Sequence, residues 1–209
     1  AEKAEAKSFA DGFGRPIQSV GVAASPNNKD IIGIQRYDAL GRPLKQYLPY
    51  EATAGTGAYT DMPQAETSQA GFYTANTYGG KVAQDIKPWA MAEYETSPLQ
   101  RLIKQGGVGE GFQTNQHFKT INYRSSLATD NVLKWNSSGT GSGTYANNEL
   151  AVVEATDEAN VKTITFTDRL GRLILKKQQA TATVWYSTYY GHHLRYKHGT
   201  RTGLPFLLR

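Results

Sequence analysis

The 209-residue chain contains no cysteine, which excludes disulfides, thiolate metal sites and cysteine nucleophiles. That absence leaves the compartment open, because exported domains also do without cysteine. No run approaches the roughly 20 apolar residues that a membrane-spanning helix needs. The opening AEKAEAKSF lacks the apolar stretch of a secretory signal, so an exported protein would carry its signal outside this fragment. Basic charge is also missing from the body of the protein. The net charge is +5, but residues 191–209 hold Arg195, Lys197, Arg201 and Arg209 with no acid. Those four leave 19 of the 23 bases against all 18 acids in residues 1–190. There is no basic stripe there, which argues against a nucleic-acid partner.

What is abundant is tyrosine and glycine, 13 and 21 residues respectively. With 39% hydrophobic and 11% aromatic residues, this composition describes a folded chain of many short strands and tight turns. IQSVGVAA and IIGIQRYD have strand character, and SPNNKD between them is written in turn residues. Residues 51–80 read as a long polar surface excursion with a short helix around Gln64–Ala75, and 137–148 as a second flexible connection. HFKTINYRS, VLKWN, ELAVVEAT, VKTITFTD and TATVWYSTYY read as further strands. Helix caps with sustained 3.6-residue periodicity are scarce, so the fold class is all-β or β-dominated, built of antiparallel hairpins as a sandwich or part of a β-shell.

One phrase is written three times: FADGFGRPIQSV at 9–20, YDALGRPLKQY at 37–47 and FTDRLGRLILKK at 166–177. An aspartate opening a type I turn accepts a backbone N–H two residues on. Glycine three residues later takes a positive φ without a Cβ clash. Asp11, Gly14 and Arg15, then Asp38, Gly41 and Arg42, then Asp168, Gly171 and Arg172 therefore describe three hairpin apices. Each arginine is placed to pair with its turn aspartate or a neighbouring acid, and to lay its stem on an aromatic. YETSPLQRLIKQGG at 94–107 reads either as a helix or, preferably, as a degenerate copy with Gln100-Arg101-Leu102-Ile103 in place of Gly-Arg-Pro-Leu. Gly106, Gly107, Gly109 and Gly111 then shape a loop, with no dinucleotide fingerprint.

These motifs resemble the YD repeats of RHS (rearrangement hotspot) proteins. The order DGFGRPIQSV, ASPNNKDI, YDALGRPLKQYLPY, YETSPLQRLIKQGGVGEGFQ, VKTITFTDRLGRLILKKQ and VWYSTYY is similar to the N-terminal domain preceding the repeats in RHS-like proteins of Bacteroidetes. The resemblance spans about residues 9–190 and defines one β-domain over 1–190, with residues 191–209 as a basic tail that departs from it. It implies a truncated piece of a very large secreted or surface-displayed parent. In that parent such repeats form a hollow shell that can enclose a C-terminal toxin, and they have been linked to carbohydrate binding. It brings no catalytic residues and no expected cofactor. The expected partners are the rest of that parent, a glycan, or a second copy.

Other chemistry is thinner. His192, His193 and His198 crowd the tail and are a candidate divalent-metal site, although adjacent histidines on a strand point to opposite faces. Ser142 in GTGSGT is no nucleophile elbow, and His117 is the only histidine outside the tail. Carboxylate pairs such as Glu93 with Glu95, or Glu154 with Asp157, carry no mark of a glycosidase pair. Trp89, Trp135, Trp185 and Tyr186 are candidate ligand-stacking aromatics. The expected function is a non-enzymatic structural and recognition module. The alternative is a small ester, lactone or glycoside hydrolase, metal-dependent or not.

Overall fold

The computed structural model describes residues 4–75, 78–136, 140–192, 195–197, 200–202 and 205–208, with side chains through Gly191. The chain is β-dominated and its strand pairings are antiparallel. It divides into two compact units, Ala1–Phe118 and Lys119–Arg209. The sequence had suggested a boundary at 190. The repeated hairpins run on both sides of residue 118 and leave no compositional break there.

In the first unit the strands are β1 (Glu5–Ala10), β2 (Pro16–Val22), β3 (Ile31–Tyr37), β4 (Pro43–Tyr47), β5 (Tyr50–Glu51), β6 (Trp89–Tyr94) and β7 (Leu102–Gly106). They pair in the order β1-β2-β3-β4-β6-β7, and β5 pairs with β3. Alternation sets one face inward: Gln18 and Val20 on β2, Ile32 and Ile34 on β3, and Tyr47 on β4 are buried. The one α-helix among the described residues, α1 (Met62–Thr74), covers that face. Pro63 enters at its first turn, where a missing N–H costs nothing. Ala65, Gln69 and Tyr73, four residues apart, form its buried stripe. Gln69 donates to the Pro88 carbonyl at 2.8 Å and Tyr73 to the Pro49 carbonyl at 2.6 Å. A narrow stripe with a glutamine at its centre is a weak amphipathic signal, and the sequence accordingly reads as an excursion here.

The excursion is tied down by side chains of the sheet. Gln18 donates to the Thr60 carbonyl and accepts from the Thr60 N–H. Buried Asp30 accepts from the Ala23 and Gly57 N–H groups.

The second unit contains β8 (Phe118–Ser125), β9 (Leu133–Trp135), β10 (Gly141–Thr144), β11 (Ala151–Thr156), β12 (Lys162–Thr167), β13 (Leu173–Gln179), β14 (Trp185–His192), β15 (Arg195–Lys197), β16 (Thr200–Thr202) and β17 (Pro205–Leu208). Its main sheet runs β8-β11-β12-β13-β14-β17, while β9 pairs with β10 and β15 with β16. Val132, Leu150, Val152, Phe166, Ile174 and Leu175 form its core. The expected loop at 137–148 thus contains β10. The tail, expected to leave the hairpin pattern, continues the backbone pairing through β17.

Candidate functional site

The dominant chemistry is at the hairpin apices, where three turns repeat one hydrogen-bond pattern. In each, one aspartate oxygen accepts the backbone N–H two residues on: Phe13 from Asp11, Leu40 from Asp38 and Leu170 from Asp168, all at 2.9 Å. The same oxygen accepts the N–H of Arg15, Arg42 or Arg172. The second oxygen takes the Nε and Nη2 of that arginine, at 2.6–2.7 Å, in a fork no lysine can reproduce. Gly14, Gly41 and Gly171 close the turns at φ of 77°, 80° and 76°. The register shifts by one residue beside each, the bulge that such a turn requires.

The fourth copy is two residues longer, and its chemistry is divided accordingly. Ser97 accepts the Leu99 N–H, Gln100 takes the positive φ of 50°, and Glu95 reaches Arg101 with both oxygens. A longer loop needs a longer acid, so glutamate stands where the short turns have aspartate. Residues 94–107 therefore form a hairpin, with β7 starting at Leu102.

These pairings lower the acids. The Arg15 guanidinium holds Asp11 below its usual 3.8. Burial pushes Asp38 and Asp168 upward, but the N–H and guanidinium of Arg42 and Arg172 outweigh it, leaving both below 3.8. Glu95 falls from 4.5 to about 2, chiefly through Arg101 and then the Ser97 hydroxyl.

The turns of the first unit are also linked to each other. The Arg15 guanidinium carbon lies 4.9 Å from the Tyr37 ring centre, and that of Arg42 lies 4.4 Å from Tyr94. Tyr37 donates its hydroxyl proton to the Pro16 carbonyl, and Tyr94 to that of Pro43. Each tyrosine immediately precedes the next turn's acid, so the first two hairpins each dock the following one by the same two contacts. Register explains the recurrence. Gln18 faces Ile34, and Arg15 and Tyr37 lie three residues beyond that pair; Lys45 faces Met91, and Arg42 and Tyr94 lie three beyond. In the second unit Leu175 faces Tyr189, which sets His192 at the same offset from Arg172.

Two further clusters escaped the sequence reading because their members are far apart in the chain. Arg124 bridges Asp130 and Glu154, at 2.8 Å to each. Glu51 accepts from the Ser25 hydroxyl and the Asn27 amide, beside Lys29, and the Ser25 contact leads in holding its carboxyl below 4.5. Glu51 also borders a cavity of about 420 Å³ between β5 and α1, lined in part by Tyr50, Gln64, Ser68 and Phe72.

The predicted ligand-stacking aromatics fall in both units, Trp89 in the first and Trp135, Trp185 and Tyr186 in the second. Trp89 packs into the first core against Tyr47, with ring centres 5.6 Å apart. Trp135 meets Tyr189 edge-on at 5.7 Å. Trp185 is half-buried, while its neighbour Tyr186 is 67% exposed. The carboxylates that the sequence left unmarked are engaged as follows: Glu93 with Lys104, Glu95 with Arg101, Glu154 with Arg124, and Asp157 in a turn of its own. Ser142 donates to the Lys134 carbonyl, and His117 is exposed near Phe112. Among the described residues no three His, Asp or Glu side chains gather as a metal ion requires. The His192 side chain, and His193 and His198, lie outside the described residues.

The fold and this row of turns define a β-hairpin protein whose neighbouring hairpins lock through arginine and tyrosine. Residues 1–125 match the family described as a domain of unknown function (DUF6443), and the chain belongs to that family. No curated protein matches the chain.

Proposed function

We propose that this chain is a non-enzymatic structural and recognition module of a large secreted or surface protein of the RHS/YD-repeat type. Its task is to start or extend a stack of hairpins and to bind a glycan or a protein partner. The observation that carries this reading is the repeated lock: Arg15 on Tyr37 and Arg42 on Tyr94, each with a tyrosine hydroxyl on the preceding hairpin's proline carbonyl. A lock written into the motif itself suits an array that can be lengthened one hairpin at a time. The acids and arginines of the repeated motif are paired with each other in holding turns.

The test is retention on immobilised glycans and on a YD-repeat shell fragment, alongside a panel of chromogenic esters, lactones and glycosides with and without chelator. Retention without turnover supports the module. Chelator-sensitive turnover lost in the variant His192→Ala, His193→Ala, His198→Ala overturns it in favour of a hydrolase.

A further inference from the structure

We infer that the cavity between β5 and α1 is a binding site for one neutral sugar ring, an uncharged hexose carried at the end of a glycan. Its volume, about 420 Å³, falls within the roughly 300–1,000 Å³ of small-molecule sites. Every residue that lines it belongs to the first unit.

The lining selects the ligand by charge and by hydrogen bonding. Its two charged side chains, Lys29 and Glu51, are of opposite sign and 3.8 Å apart. The Glu51 side chain is only 4% exposed, and its carboxylate already accepts from Ser25 and Asn27. An ionised ligand would therefore give up its water and find no uncompensated charge in return. The polar wall that remains is Thr60, Gln64 and Ser68. Hydroxyls and amides of this kind both donate and accept, as the hydroxyls of a sugar do. Buried Tyr50 and half-buried Phe72 bring aromatic rings to the same wall, apolar surface for the C–H face of a pyranose. The wall is also set before a ligand arrives. Gln18 holds both the N–H and the carbonyl of Thr60, and Gln64 donates to the Ser68 hydroxyl at 3.2 Å. A preformed site loses little freedom on binding.

Gly71 is an independent mark of the site. Glycine weakens a helix, yet it stands inside α1, where a Cβ would meet nothing within 4 Å. Packing does not call for glycine there. Its place on the cavity wall does, because a side chain at 71 would stand where the ligand enters. The pocket rests on the glycan reading of the proposed function and gives it a location.

The test is saturation-transfer NMR on the full chain, titrated with the methyl glycosides of glucose, galactose and mannose and with glucuronate as the charged counterpart. A ring of about a dozen non-hydrogen atoms bound at ordinary ligand efficiency has a dissociation constant on the order of 1 mM. At least one of the three glycosides should bind in that range, and glucuronate several-fold more weakly. Gly71→Leu fills the entrance with a better helix former, so it should weaken binding at least tenfold while the melting temperature holds or rises. No binding of any glycoside up to about 20 mM, glucuronate binding equally well, or undiminished binding by Gly71→Leu overturns the site. Retention on immobilised glycans that Gly71→Leu leaves intact sinks the pocket and keeps the module. A wild type retained on neither glycan nor shell fragment sinks the module instead.

Discussion

The guanidinium of Arg42 is shared between two hairpins: it forks onto Asp38 in its own turn and lies 4.4 Å from the ring centre of Tyr94 in the next. Its Nη1 is buried and has no hydrogen-bond partner among the described residues, and its side chain is only 23% exposed, so the ring faces a partly desolvated cation. A cation–π contact is strongest when desolvated, which makes this pair the most consequential of the row.

Gly41 and Gly14 have nearly the same φ, yet they differ in what surrounds them. A Cβ on Gly41 would collide with the Arg15 guanidinium, whereas one on Gly14 meets nothing within 4 Å. Gly14→Ala should cost about 1 kcal/mol, from the left-handed backbone alone. Gly41→Ala should cost more, because Arg15 must also leave its place over Tyr37. Urea midpoints of the two variants check the order.

Stability should be sensitive to acid in a defined window. The folded-state values of Asp11, Asp38, Asp168 and Glu95 are depressed, so their contribution is fully present above the ordinary values of 3.8 and 4.5. It is lost as the pH falls through the folded values, which for Glu95 means down to about 2. Urea unfolding should be nearly unchanged by these groups from pH 7 to 5, then weaken steadily from pH 4.5 to 2. Glu95→Gln should flatten part of that decline.

At the Asp168–Arg172 turn the backbone register places position 192 where the first unit has tyrosine. His192→Tyr should add about 0.5–1 kcal/mol through a contact with Arg172, the range of an exposed cation–π pair. The gain should vanish in an Arg172→Met background. Thermal melts of the four proteins measure it.

The turns were legible in the sequence because everything they need lies within five residues: acid, glycine and arginine at fixed spacing. Even the altered copy at Glu95–Arg101 could be recognised. The stacking of Arg15 on Tyr37 was not, because it depends on which strands pair and in what register. The tyrosine before Asp38 and before Glu95 was the available signal, once read as a partner of the preceding arginine. Helix α1 was recognised only loosely because its buried stripe, Ala65, Gln69 and Tyr73, is short and partly polar. The boundary near residue 118 and the Arg124–Asp130–Glu154 cluster leave no local mark, since both arise from contacts distant in the chain.

The central claim is that arginine and tyrosine lock successive hairpins. A double-mutant cycle with Arg42→Met, Tyr94→Leu and the pair, followed by urea unfolding at pH 7, isolates that contact. The account predicts a favourable coupling of about 1–2 kcal/mol. A coupling indistinguishable from zero, with both single variants folded, would contradict it.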